Sequence, residues 1–115
     1  MILNFNNIRV LLVGDFMIDK YIFGDSIRMS PEAPVPVLNP NKSYSTLGGA
    51  GNVALNLKTL GASVTCVGYV GSDNDGIELV NLLKKQQIDT QHMHIINSRT
   101  TVKERFYSNG KQVLR

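Results

Sequence analysis

Three features of the sequence predict an α/β fold with a mainly parallel sheet. Short apolar runs rich in β-branched residues recur at 8–14 ("IRVLLVG") and 63–71 ("SVTCVGYVG"), the signature of strands buried on both faces. Between and after them lie two stretches with helical spacing, each opened by glycines or polar capping residues. The remainder is punctuated by prolines and by an Asn-Gly pair, which marks a smaller β element attached to the α/β body.

Along the chain, residues 8–14 form the first strand, a central one, which stops at Gly14-Asp15. Residues 21–40 carry all four prolines; Pro31, Pro34 and Pro36 cannot donate to a ladder, so the segment is extended, edge-like or an excursion from the main body. A helix is expected over 49–60, with Val53, Leu57 and Leu60 on one face beside Ala54, and Gly61 placed to end it. The run 63–71 is a second buried strand. Residues 72–88 form a second helix, with Ser72, Asp73 and Asn74 as N-cap candidates. Its apolar face comprises Ile77, Val80 and Leu83 or Leu79, and its two lysines complement the helix dipole. "MHIIN" (93–97) gives a third short strand. Residues 100–115 read as a hairpin turning at Asn109-Gly110, a type I′ signal.

Composition narrows the functions available. With 43% hydrophobic and 18% charged residues, the chain is an ordinary globular sequence, and 115 residues suffice for one modest core. Twelve basic and nine acidic residues leave a net charge of +3 without a basic stripe, which argues against nucleic acid as a partner and allows a small anionic ligand. Cys66 is the single cysteine, so an intrachain disulfide and a cysteine metal cluster are excluded; in its apolar run it reads as a buried thiol rather than a nucleophile. The opening residues lack a basic signal-peptide region, and their apolar run is too short to span a bilayer. A cytoplasmic location with no membrane partner is the default expectation. The chain ends directly after an apolar, strand-like run, which points to the N-terminal portion of a longer domain.

The densest signal is "STLGGAGNVALNLKTLGA" (45–62), a glycine-rich turn set against a helix start. It does not fit a dinucleotide fingerprint, because its glycines are spaced as GGAG and follow a polar segment. Nor does it fit a phosphate-binding P-loop, since no Gly-Lys-Ser/Thr follows. Two readings remain: glycines that permit close helix–sheet packing, or a ligand site. Asn52, in the first turn after three glycines, favours a ligand, since its amide both donates and accepts and suits hydroxyl groups. Asp15 and Asp19, at and just beyond the tip of the first strand, are candidate acceptors, because ligands of open α/β sheets sit outside the carboxyl ends of strands. Either aspartate is equally at home as a turn former.

These residues carry a resemblance. Gly48, Gly49, Ala50, Asn52, Ala54, Gly61 and Gly71 meet in full the N-terminal signature of the ribokinase-like (phosphofructokinase B) carbohydrate kinases, and "VGDFMIDKYIFG" resembles that family's first strand and the acidic residue after it. The run "SPEAPVPVLN" before "LGGAGNVA", and "TTVKERFYSNGKQVLR", are similar to the kinase part of the bacterial ADP-heptose synthesis enzymes. The resemblance covers residues 9–115. It implies the N-terminal part of a three-layer α/β/α sandwich with a small β-lid, with lid segments near 19–47 and 99–115 that in this family often mediate a homodimer. It also implies that Asp19, Gly48, Gly49 and Asn52 contact sugar hydroxyls.

For a phosphorylated sugar such as D-glycero-D-manno-heptose 7-phosphate, Lys103 and Arg105 are the phosphate candidates, because a dianion wants charge-assisted partners and Arg binds it bidentately; alternation puts both on one strand face. Arg28 is a weaker candidate, and solvated lid charges are the plain alternative. The family's Gly-Ala-Gly-Asp anion hole with its catalytic base, its Asn-x-x-Glu magnesium motif and its ATP pocket do not occur in this sequence. The chain is therefore expected to hold no catalytic residue, to bind neither ATP nor Mg²⁺, and to lack kinase activity by itself, whereas the full-length protein would use both. Alternative readings are a kinase of ribose, fructose phosphate or a nucleoside, and a non-catalytic module that binds a sugar phosphate.

Overall fold

The computed structural model describes residues 4–115. The elements run β1 (Arg9–Val13), β2 (Phe16–Met29), β3 (Pro36–Gly49), α1 (Ala50–Thr59), β4 (Ser63–Gly71), α2 (Asn74–Lys85), β5 (Asp89–Ile96), β6 (Val102–Ser108) and β7 (Lys111–Leu114). They fall into two compact units, one up to Ile18 and over Thr46–Val102, the other made of Asp19–Ser45 and Lys103–Arg115.

The first unit is the α/β body. Its sheet has the order β1-β4-β5, with β1 and β5 both parallel to β4. Such pairing needs crossovers, and the helices supply them. The core gathers Ile18, Cys66, Leu79 and Leu83, all fully buried, with Phe16, Leu47, Ala54, Ala62, Val64, Val70 and Ile88 around them.

The sheet is covered on one face only. Val10 and Leu12 pack on the core, while Leu11 and Val13 are 65% and 69% exposed. The expectation of a first strand buried on both faces is corrected accordingly: period-2 alternation sends Leu11 and Val13 to the opposite face, where Tyr69 is also exposed.

Both helices form where expected, but each presents a different face. In α1 the buried residues are Gly51 and Ala54, while Val53 and Leu60 are exposed; the helix lays its smallest residues against the sheet, which brings it close. In α2 the buried residues are Gly76, Leu79 and Leu83, and Ile77 is 61% exposed. There the first turn is fixed by its cap, Asp73, and the buried stripe follows from Gly76 at helical spacing. The third strand starts at Asp89 rather than at 93. As an edge strand, β5 needs backbone partners more than apolar side chains, so the polar "DTQH" gave no strand signal.

The second unit is the four-stranded sheet β3-β2-β6-β7. The proline-rich stretch resolves into two 14-residue strands joined by a turn that the Ser30 N–H closes on the Val35 carbonyl at 2.7 Å. Pro36 opens β3, and β3 lies at the sheet's edge, the two places where a strand tolerates proline. β6 and β7 pair antiparallel, with Ser108 opposite Lys111. Asn109 (φ 53°) and Gly110 (φ 82°) both have positive φ, as a two-residue type I′ turn requires.

Candidate functional site

In the first unit, the glycine-rich turn joins the end of β3 to α1. Gly49 has φ 55° and ψ −131°, where an L side chain is strained. A Cβ there would stand 2.6 Å from the Asp15 carbonyl oxygen and 2.8 Å from the Met17 methyl. The Ala50 N–H donates to that same carbonyl at 2.8 Å, so the turn fastens the helix start to the tip of β1. The packing reading of the glycines is thereby realised. α1 has no side-chain cap hydrogen bond and no acidic residue in its first turn. Asn52 is exposed in that turn, Gly49 is exposed, and Gly48 is buried.

The same, carboxyl end of this unit's sheet carries a hydrogen-bonded knot. Asp73 Oδ1 accepts from the Gly76 N–H (2.9 Å) and from the Thr100 hydroxyl (2.7 Å), while Oδ2 accepts from the Thr100 N–H (2.9 Å). The Thr100 hydroxyl oxygen in turn accepts from the Gly71 N–H at 2.9 Å. These bonds, the Thr100 hydroxyl foremost, hold the Asp73 carboxyl below the usual carboxylate range, because each favours the ionised form. The knot joins the end of β4, the start of α2 and segment 97–101 in one place.

A cleft of about 360 Å³ opens at the carboxyl ends of the parallel strands, lined by Gly14–Met17, Tyr69–Gly71, Ile96 and Ser98–Thr101. Elsewhere in this unit, burial, with the Asp89 charge adding to it, pushes the Cys66 thiol up to about 11, so Cys66 is a packed side chain and not a nucleophile. Among the described residues, no group of three His, Cys, Asp or Glu side chains is placed to hold a metal ion.

In the second unit, one face of the sheet gathers rings and charges. Tyr21 stacks on Tyr44 with centroids 4.9 Å apart, and Phe23 on Tyr107 at the same separation. The Arg105 guanidinium lies 5.3 Å from the centre of the Tyr21 ring, within cation–π range. Its Nη1 is 3.5 Å from Asp19 Oδ1, both side chains being 20% exposed. The two atoms are buried, and neither has a hydrogen-bond partner: the contact is an ion pair at a length too great for a good hydrogen bond.

Of the residues that the sequence singled out, the structure brings Asp19 and Arg105 together, and Lys103 is half-buried two positions before Arg105 on β6. Arg28 is exposed near the end of β2. Gly48, Gly49 and Asn52 belong to the first unit. The sequence reading missed the Asp73–Thr100 knot and the cleft beside it. Asp73 was one of three cap candidates, and the spacing Asp73-x-x-Gly76 was the available hint; nothing near Thr100 announced its partner 27 positions earlier.

Comparison with known proteins gives concordant results. The profile of the pfkB family carbohydrate kinases matches residues 7–113. The bifunctional protein HldE of Aliarcobacter butzleri is 48% identical over 108 residues, and that of Helicobacter acinonychis 44%. Each match takes in 93% of this chain and 23% of the relative, so the chain spans about a quarter of the length of these relatives. Among solved structures, a carbohydrate kinase from Agrobacterium tumefaciens superposes with a TM-score of 0.73 at 20% identity, over 93% of this chain and 34% of that one. A ribokinase from Cryptococcus neoformans, solved in complex with ADP, gives 0.69 at 21% identity, over 92% and 33%. These two likenesses establish the ribokinase-like fold.

Proposed function

The chain belongs to the pfkB family of carbohydrate kinases, and from that premise we propose that it is the sugar-binding N-terminal part of a kinase acting on D-glycero-D-manno-heptose 7-phosphate. In the longer protein, phosphate passes from ATP, with Mg²⁺, to the anomeric oxygen of that sugar. The observation that carries the substrate choice is the 42–48% identity to bifunctional HldE proteins over nearly the whole of this chain. Asp19 and Arg105, both expected to meet the substrate, stand together as an ion pair.

In this reading Asp19 accepts from a sugar hydroxyl, and the Gly48-Gly49 backbone with Asn52 meets others. Lys103 and Arg105 make β6 positive. Residues of this chain bind and orient the sugar, which in phosphoryl transfer is a large share of the catalytic task. The working location in this reading is the cytoplasm. Among the described residues, no helix is long and apolar enough to cross a membrane.

The test is an ATP-dependent assay for heptose 1,7-bisphosphate. The 115-residue chain is expected to form none, and a chain extended to the length of its relatives is expected to form it. Product from the short chain would refute its inactivity. An extended chain that phosphorylates ribose or adenosine and ignores heptose 7-phosphate would refute the substrate.

A further inference from the structure

The cleft at the carboxyl ends of β1, β4 and β5 has a polarity that the glycine-rich turn and the Asp19–Arg105 pair do not use. Asp15 lies on its wall where β1 ends, and Arg99 where β5 has ended. β4 lies between β1 and β5, and past β5 the chain turns back so that Ser98, Arg99 and Thr100 lie against Gly71 at the end of β4. Both side chains are exposed, and among the described residues neither makes a hydrogen bond or an ion pair. Ser98 and Thr101 bring hydroxyls to the Arg99 end, while the middle of the cleft is formed by Tyr69, Val70 and Gly71.

Arg99 is also held in place. Its neighbour Thr100 is buried, at 7% exposure, and is bonded through both its N–H and its hydroxyl to Asp73 and through its hydroxyl oxygen to Gly71. The backbone that carries the guanidinium is thus fixed to α2 and β4 before any ligand arrives, which reduces the ordering cost of binding. Arg105 is differently placed, since its charge already faces Asp19 and its guanidinium lies over Tyr21.

We propose that this cleft is the binding site for the phosphate-bearing end of a phosphorylated sugar, with Arg99 as the phosphate ligand and Asp15 accepting from hydroxyls at the other end. The assignment rests on the sugar-kinase reading for the sugar half of the ligand; the anion half stands on the cleft alone. A guanidinium that makes no ion pair and is flanked by hydroxyls suits a dianion, and the Asp15 carboxylate on the same cleft wall repels that dianion and so sets the ligand's direction.

The experiment titrates the 115-residue chain with three probes, inorganic phosphate, heptose 7-phosphate and unphosphorylated heptose, following affinity and the amide resonances of residues 98–101. Arg99→Gln is expected to weaken heptose 7-phosphate roughly ten- to a hundredfold, the loss of a charged hydrogen-bond partner, and to leave free heptose unchanged. Asp15→Asn is expected to weaken both sugars and to spare inorganic phosphate. Arg99 is exposed and unbonded, so its variant folds, and an unchanged amide spectrum without ligand checks this. The proposal is overturned if no phosphate probe moves residues 98–101, if Arg99→Gln leaves heptose 7-phosphate binding intact, or if Lys103→Gln or Arg105→Gln removes that binding while Arg99→Gln does not. Phosphate that binds at Arg99 with no gain from the attached sugar would retain the anion site and count against the sugar-kinase reading. Sugar-phosphate binding indifferent to Arg99 would do the reverse.

Discussion

The two units of this chain are held together by different means. In the parallel-sheet unit, Ile18, Cys66, Leu79 and Leu83 are fully out of water and touch one continuous cluster. Among the described residues, the four-stranded unit contributes no side chain to that cluster. It relies instead on backbone ladders, on four rings stacked over one face and on contacts such as the partly screened Asp19–Arg105 ion pair. Burial of aliphatic side chains stabilises strongly and without direction; ring pairs at a surface add about 0.5–1.5 kcal/mol each and fix geometry. The first unit should therefore resist opening, and the second should open locally at lower cost.

Substitutions rank the two units on this scale. Leu79→Ala removes a fully buried side chain and should cost about 2–5 kcal/mol in chemical denaturation. A loss below ~1 kcal/mol would mean that the first unit is not held by its core. Gly49→Ala places a Cβ against the Asp15 carbonyl at positive φ, and a loss of roughly 2 kcal/mol is expected, read as earlier melting of α1 amide protection.

Acid tests the knot. Asp73 has a depressed folded-state pKa, so its contribution is present above the unfolded value, about 3.9, and is lost as pH falls from there through the folded value. Asp73→Asn should flatten that part of the stability profile; an unchanged acid limb would show that the carboxylate does not hold segment 97–101. In the second unit, Tyr44→Ala removes two ring contacts from a residue that is nearly half exposed. The expected cost is about 1 kcal/mol, confined to amides of β2, β3 and β6. If it instead lowers protection of β4, the units open together and the contrast fails. Val113→Ser, on the exposed edge strand β7, should change stability by less than about 0.5 kcal/mol.

Much of this contrast was legible beforehand because it was written in local chemistry. The apolar runs gave β1 and β4, the capping and dipole signals gave α2, and Asn109-Gly110 gave its turn. What the sequence hid was relational. Which face of a helix turns inward depends on what pins its first turn, so Val53 and Ile77 read as core and are exposed. A strand at a sheet's edge is defined by its neighbour's backbone, and so the polar start of β5 was silent. The same holds for the site. Asp19 and Arg105 could be named singly, yet their meeting, like that of Asp73 with Thr100, is made by the fold.

Cys66 lies at the middle of β4, the central strand of the parallel sheet, with no exposed surface. It is the chain's single thiol, and its thiolate form is suppressed by burial. An alkylating reagent can therefore reach sulfur only when the first unit comes apart. The rate of labelling becomes a clock for that event alone, silent to the fraying of the four-stranded sheet, and the molecule carries it without any added probe.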